Sequence, residues 1–183
     1  YILDVLCDHK DDYKDVEIVH MVSMGAARYC GEDMAGHFRH NSLFVGGTTR
    51  KAVEEGRADY TPCFFYQVPA LFDKELPVDV ALITVTPPNE NGKVSLGVSV
   101  DYTLAAVKHA KTVIAQVNDQ MPFTYGDAVI DVSEIDYFVE HSAPLIELPP
   151  AKLTDIEKAI GANCASLIQD GDTLQLGIGA IPD

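Results

Sequence analysis

Two apolar runs, Val78–Val85 and Thr112–Val117, constrain this chain most, because a helical pattern over Tyr102–His109 lies between them. Val78–Val85 is almost continuous in apolar residues. A strand with one wet face alternates polar and apolar side chains, whereas an unbroken run predicts a strand covered on both faces, as in parallel sheets. Two such strands joined through a helix make a βαβ unit. The expected fold class is therefore α/β, an open and mainly parallel sheet flanked by helices.

The other segments fit that alternation. Tyr1, Ile2, Val5 and Leu6 recur at helical spacing with no capping residue in front of them. Val16–Val22 and Ser42–Val45 read as strands, the second closed by Gly46 and Gly47. Thr48 and Thr49 are suited to cap a helix over Arg50–Glu55 that Gly56 ends. Ala58–Pro62 and Cys63–Tyr66 read as extended structure, followed by a short helix over Pro69–Phe72. Pro87–Gly92 carries turn chemistry, and Ile135–Val139 is a shorter strand. Pro144–Pro150 is a Pro-bounded linker, which places a first α/β domain over residues 1–150. Thr154 and Glu157 then form a capping box for an amphipathic helix to Gln169. Leu174–Leu176 reads as a strand running into Gly177 and Gly179, with Pro182 at a natural first helical position. Residues 151–183 are thus the opening helix, strand and Gly loop of a second α/β unit. An uncapped first helix and a last loop with no helix behind it lead to the expectation of a fragment of a larger protein.

Composition narrows the function. The formal net charge is −15, spread along the chain without a basic patch, which argues against nucleic acid as a partner. No run approaches the roughly eighteen apolar residues of a membrane span. Cys7, Cys30, Cys63 and Cys164 lie far apart with no C-x-x-C pair, as expected for reduced thiols in a cytoplasmic protein.

Several residues have the chemistry of a site. A strand that turns through glycines toward a helix start can present backbone N–H groups to an anion or a carbonyl oxygen, so Gly177–Ile181 reads as a ligand-facing loop in preference to a bare turn. It is not a dinucleotide fingerprint, because Pro182 stands where a glycine or alanine belongs. Asn118 and Gln120 follow directly on a buried strand, where ligands of open α/β sheets gather. Their amides can bond a carboxylate or thioester oxygen without bringing in charge, although an ordinary turn explains them equally well. Gln175, polar within an apolar segment, is a pocket-lining candidate. His37 and His40, with Cys30, Glu32 and Asp33, match no recognised zinc spacing and read as a polar loop, so no metal is expected. A serine–histidine–acid triad has no G-x-S-x-G to support it. Cys63 beside Phe64 and Phe65 reads as core, and Arg50 and Lys51 as surface.

Taken in order, Phe44–Val53, Gly56–Pro62, Pro87–Gly92, Gly97–Tyr102, Val117–Pro122 and Leu174–Asp183 resemble the acetyl-CoA hydrolase/transferase family, and within it the 4-hydroxybutyrate CoA-transferases. The resemblance covers essentially the whole chain. It implies the two-domain NagB/RpiA/CoA-transferase-like architecture and an enzyme that moves CoA between an acyl-CoA and a small carboxylate such as 4-hydroxybutyrate or acetate, through a glutamyl thioester. Acyl-CoA hydrolysis is the alternative, and a non-catalytic domain is the expectation for the 183 residues alone. CoA would be a substrate, with no tightly bound cofactor, and the protein a homodimer. The resemblance places CoA contacts at Gly177, Ile178, Gly179, Ala180 and Ile181. Met121 joins Asn118, Gln120 and Gln175 as a pocket candidate. The nucleophilic glutamate is expected beyond Asp183, so no glutamate of this chain takes that role.

Overall fold

The computed structural model describes residues 1–150, 152–179 and 181–182. It divides into two compact units, Tyr1–Leu145 and Ile146–Asp183. The first unit opens with α1 (Ile2–Asp8), β1 (Val16–His20) and β2 (Phe38–Ser42). α2 (Arg50–Glu54), β3 (Ala58–Tyr60) and α3 (Val68–Leu71) follow. β4 (Val80–Val85), β5 (Lys93–Ser95), α4 (Thr103–His109), β6 (Thr112–Val117), β7 (Val129–Asp131) and β8 (Tyr137–Glu140) complete it.

Two three-stranded sheets, β1-β2-β3 and β4-β6-β8, are parallel throughout. A short antiparallel pair, β5 with β7, sets Lys93 opposite Asp131. The mixed α/β class and parallel sheets flanked by helices agree with the sequence reading. β6 occupies the expected residues, while β2 lies earlier than the expected strand at Ser42–Val45. The reason is that Arg39, His40 and Asn41 are polar yet each finds a partner in the sheet, His40 through Nδ1 alone while its buried Nε2 has none among the described residues. Arg39 Nη2 donates to Asp59 Oδ1 at 2.5 Å, His40 Nδ1 to the Ile18 carbonyl at 2.8 Å, and Asn41 Nδ2 to Glu17 Oε1 at 2.9 Å.

The expectation that Val78–Val85 is buried on both faces is corrected. Ala81, Ile83 and Val85 are core, but Val80 and Leu82 are 49% and 37% exposed. The α4 crossover packs Leu104 and Val107 against the core side of β4 and β6. On the opposite face, Leu82, Ile114 and Tyr137 share one row. An apolar run fixes a strand but does not by itself count how many of its faces are covered.

The β4–β6 core also takes in Val94, Leu96, Ile130 and Ile135. A second cluster, with Cys7, Tyr29, Met34, Phe38, Ala52 and Ala58, lies on the first sheet. Leu43, Val68 and Phe72 pack with Val19, Met21 and Tyr102 in a third. Each fully buried Val, Leu or Phe contributes about 1.5–3 kcal/mol of burial. Cys63, read as core, packs against the Leu43, Val68 and Phe72 cluster. It is only partly buried, and its neighbours Phe64 and Phe65 are exposed, Phe64 capping and Phe65 opening a 3-10 turn, Phe65–Gln67.

In the second unit α5 runs Asp155–Ala165 and stops short of Gln169. Its capping box is present: Ile156 N–H donates to Thr154 Oγ1 at 3.3 Å, and Thr154 N–H to Glu157 Oε2 at 2.7 Å. Leu174–Leu176 is irregular and exposed instead of a strand. A strand exists only through its ladder partners, and none pairs with this segment among the described residues. No helix of the described residues is long and apolar enough to cross a membrane.

Candidate active site

In a parallel sheet every carboxyl end points the same way, and ligands of open α/β sheets settle against those ends. The loops after β1 and β2 lie at such ends, while the Ser95–Val100 loop follows the antiparallel strand β5. No Asp, Glu, Lys or Arg occurs at positions 21–27, 43–49 or 95–100, in a chain whose net charge is −15. An anionic ligand approaching these loops meets no local like charge there, which removes part of the electrostatic obstacle set by the acidic balance.

At the end of β6, Asn118 is buried and its amide is committed to the protein. Oδ1 accepts from Gln120 N–H at 3.0 Å and Ala143 N–H at 3.2 Å, and Nδ2 donates to the Ala143 carbonyl at 2.8 Å. Its side chain thus shapes the turn after β6 and ties it to the segment following β8. Gln120 is exposed and donates to Asp119 Oδ1 at 2.9 Å. That bond, with one from Ser142, lowers the Asp119 carboxyl below its ordinary pKa. Met121 is buried against Gly97, whose φ is +61°.

Hydroxyl groups hold the Gly97 turn in place. Ser95 Oγ donates to the Thr124 carbonyl at 2.8 Å and accepts from the N–H groups of Gly97 and Thr124, both at 3.0 Å. Thr124 Oγ1 donates to the Gly97 carbonyl at 2.7 Å, and Ser95 N–H donates to Thr86 Oγ1 at 2.9 Å. With Ser95 and Thr86 buried, this network fixes the turn beside Met121.

At the end of β1, His20 Nε2 lies 2.5 Å from Tyr29 Oη, and its ring stacks on His40 with centroids 4.2 Å apart. Burial and then the neighbouring His40 pull the His20 pKa down to about 4, and burial pushes the Tyr29 phenol up to about 12. His40 is likewise lowered by burial. Met21 N–H, one residue on, donates to Tyr102 Oη at 3.1 Å. Thr48 Oγ1 donates to the Ser23 carbonyl at 3.2 Å, joining the loops after β1 and β2. Thr49 is the positional N-cap of α2 but makes no side-chain cap bond.

The Gly loop belongs to the second unit. Gly177, Ile178 and Gly179 are described, with Ile178 almost wholly exposed and Gly179 at φ +139°. The Pro182 ring lies 3.5 Å from where a Gly177 Cβ would sit. Ile181 and Gln175 are exposed, and Ala180 lies outside the described residues. Among the pocket candidates, Asn118, Gln120 and Met121 share one turn. Sequence reasoning missed Ser95, Thr124, His20 and Tyr29, named Tyr102 only within the helical run Tyr102–His109 and the family-like stretch Gly97–Tyr102, and read His40 as part of a polar loop, whereas it is buried in β2 beside His20 and Tyr29. A concavity of about 240 Å³ lies elsewhere, around Phe38, Arg39, Gly56 and Arg57. Its guanidinium groups are already paired with Asp59 and Glu55, so it is a poor anion site.

The family model for the acetyl-CoA hydrolase/transferase N-terminal domain matches residues 1–148. The chain belongs to the acetyl-CoA hydrolase/transferase family. It is 64% identical over 183 residues to a 4-hydroxybutyrate coenzyme A transferase of Clostridium kluyveri, covering 100% of this chain and 43% of that protein. A succinyl-CoA:acetate/propanoyl-CoA:succinate CoA transferase of Fasciola hepatica is 49% identical over 172 residues, 93% of this chain and 36% of its own length. The crystal structure of a 4-hydroxybutyrate CoA-transferase from Porphyromonas gingivalis superposes with a TM-score of 0.81 at 38% identity, over 98% of this chain and 41% of that one. RipA from Yersinia pestis superposes at 0.91 and 30% identity, over 99% and 45%. The fold is thus that of the CoA-transferases, and the chain spans less than half the length of these relatives.

Proposed function

We propose that this family member is part of a CoA-transferase that exchanges CoA between an acyl-CoA and a small carboxylic acid, of the 4-hydroxybutyrate/acetate type. The observation that carries the reading is 64% identity, sustained over all 183 residues, to a protein named for that reaction. The uncharged loops after β1 and β2 suit a carboxylate or thioester ligand. Residues 1–150 serve as the N-terminal domain and 151–183 as the start of a second. Gly177, Ile178, Gly179, Ala180 and Ile181 contact CoA. In the first unit Gln120 and Met121 are substrate-pocket residues on a turn that Asn118 holds, and in the second unit Gln175 is a substrate-pocket residue.

The chemistry is two-stage covalent catalysis by a glutamate outside these residues. Its carboxylate attacks the thioester carbonyl, the C–S bond breaks, and an acyl-glutamyl anhydride and CoA thiolate result. The thiolate attacks the glutamyl carbonyl, releases the first acid as its carboxylate and leaves a glutamyl-CoA thioester. The acceptor carboxylate reverses these steps. The protein acts as a cytoplasmic homodimer with no tightly bound cofactor. The test is acyl-CoA consumption by the full-length protein with and without acetate or 4-hydroxybutyrate. The expected result is consumption that requires the acid and yields its CoA thioester. Release of free CoA at an equal rate without acid would mean a hydrolase instead.

A further inference from the structure

Tyr102 stands at the meeting point of two of the uncharged loops. It follows the Gly97 turn directly, and its hydroxyl accepts the Met21 N–H at 3.1 Å where the chain leaves β1. Its ring lies 6.0 Å from that of Phe72, in a cluster with Leu43 and Val68, and the residue is only partly buried. A phenol offers one donor as well as its acceptor sites. Here an acceptor site is taken by Met21, while the O–H hydrogen has no acceptor among the described residues. Asp101, the adjacent carboxylate, is turned to its own helix start, where Oδ1 accepts from Thr103 N–H at 3.2 Å and Thr103 Oγ1 at 3.0 Å. Burial, the largest influence, raises the Tyr102 pKa, so the group stays a neutral donor across the physiological range.

We propose that Tyr102 is a substrate-binding residue whose hydroxyl donates a hydrogen bond to an oxygen of the carboxylate or thioester ligand at the carboxyl ends of the strands. Met21 N–H orients the phenol oxygen, and the packed ring keeps it from swinging into solvent. A neutral, pre-oriented donor among uncharged loops recognises an anionic or carbonyl oxygen and contributes no charge of its own. The inference rests on the CoA-transferase reading and assigns one contact within it.

The experiment uses the full-length protein and Tyr102→Phe, which deletes a single oxygen. KM for the acceptor acid is expected to rise about ten- to a hundredfold, as for loss of a hydrogen bond to a charged group. kcat should stay near that of the wild type. Tyr102→Phe also leaves Met21 N–H without its acceptor, so a lowered melting midpoint alone does not discriminate. Replacement of Tyr102 by 3-fluorotyrosine supplies the second readout, since it keeps both bonds while acidifying the phenol. The alkaline limb of kcat/KM for the acid should then move to lower pH, and this variant decides the matter if Tyr102→Phe does not fold. An unchanged KM in Tyr102→Phe, or an unmoved alkaline limb, overturns the assignment. Wild-type protein that transfers no CoA removes the functional reading itself, whereas active wild type with indifferent variants removes only the role of Tyr102.

Discussion

Gly97 lies so close to Met121 that a β-carbon built on residue 97 would come within 2.1 Å of Met121 Sδ and 3.1 Å of the Pro122 carbonyl. The contact links the turn after β5 to the turn after β6, and the Ser95–Thr124 hydroxyl pair locks both in place. Gly97 is also at φ +61°, a conformation that any side chain makes costly. Gly97→Ala is therefore expected to lose about 2–4 kcal/mol from combined backbone strain and overpacking. Chemical denaturation of the full-length protein checks it, and an unchanged midpoint would show that the turn relaxes freely.

Asn118 makes a second prediction. Asn118→Ala leaves the Ala143 carbonyl and N–H without their partner at the end of β6, a cost of about 1–3 kcal/mol. Asn118→Asp keeps the acceptor but loses the donor to the Ala143 carbonyl, so it should not restore full stability. Full stability in either variant would show that the amide does not tether the turn.

Acid stability should depend on His20. Its folded pKa of about 4 lies below the ordinary value of 6.5. Between those values the unfolded chain binds a proton that the folded chain does not. The stabilising contribution is therefore complete above pH 6.5 and is lost as pH falls toward 4. From pH 7 to pH 5 the loss from this group is about 2 kcal/mol. Urea midpoints at the two pH values check it, and His20→Gln should flatten the dependence. An equally steep fall in the variant would assign the acid sensitivity to other groups.

The Lys93–Asp131 pair separates two roles of one carboxylate. Lys93 Nζ donates to Asp131 Oδ2 at 2.8 Å across the β5–β7 ladder, and Ser133 N–H donates to Asp131 Oδ1 at 2.9 Å in a capping turn. Both side chains are about two-fifths exposed, so the ion pair itself contributes little. Asp131→Ala should cost about 1 kcal/mol, mostly through the lost cap, and Lys93→Ala less than about 0.5 kcal/mol. Equal losses measured by thermal unfolding would put the stabilisation in the ion pair.

The strands that depend on local composition were the legible ones. Thr112–Val117 announces itself because its β-branched residues are needed for the core it fills. β2 lies earlier because Arg39, His40 and Asn41 look like a loop until Asp59, Ile18 and Glu17 are seen to pair with them across the sheet. β5 and β7 are three residues each, and their pairing across some 35 residues leaves no periodic trace. At the candidate site, Asn118 and Gln120 were visible as polar residues at a strand end. That the Asn118 amide is spent on Ala143, and that Tyr102 reaches Met21 from 81 residues away, are facts of tertiary structure. The Gly loop was legible from its glycines and Pro182, but a strand at Leu174–Leu176 needs pairing partners as well as apolar residues.

The central claim is that this chain belongs to an enzyme that carries CoA through a glutamyl thioester. Intact mass measurement of the full-length protein after brief incubation with acyl-CoA, with no acceptor acid present, tests it most directly. The predicted result is a protein heavier by CoA less one water, which added acetate returns to its original mass and hydroxylamine converts to a glutamyl hydroxamate with release of CoA. A protein of unchanged mass while acyl-CoA is consumed would contradict it.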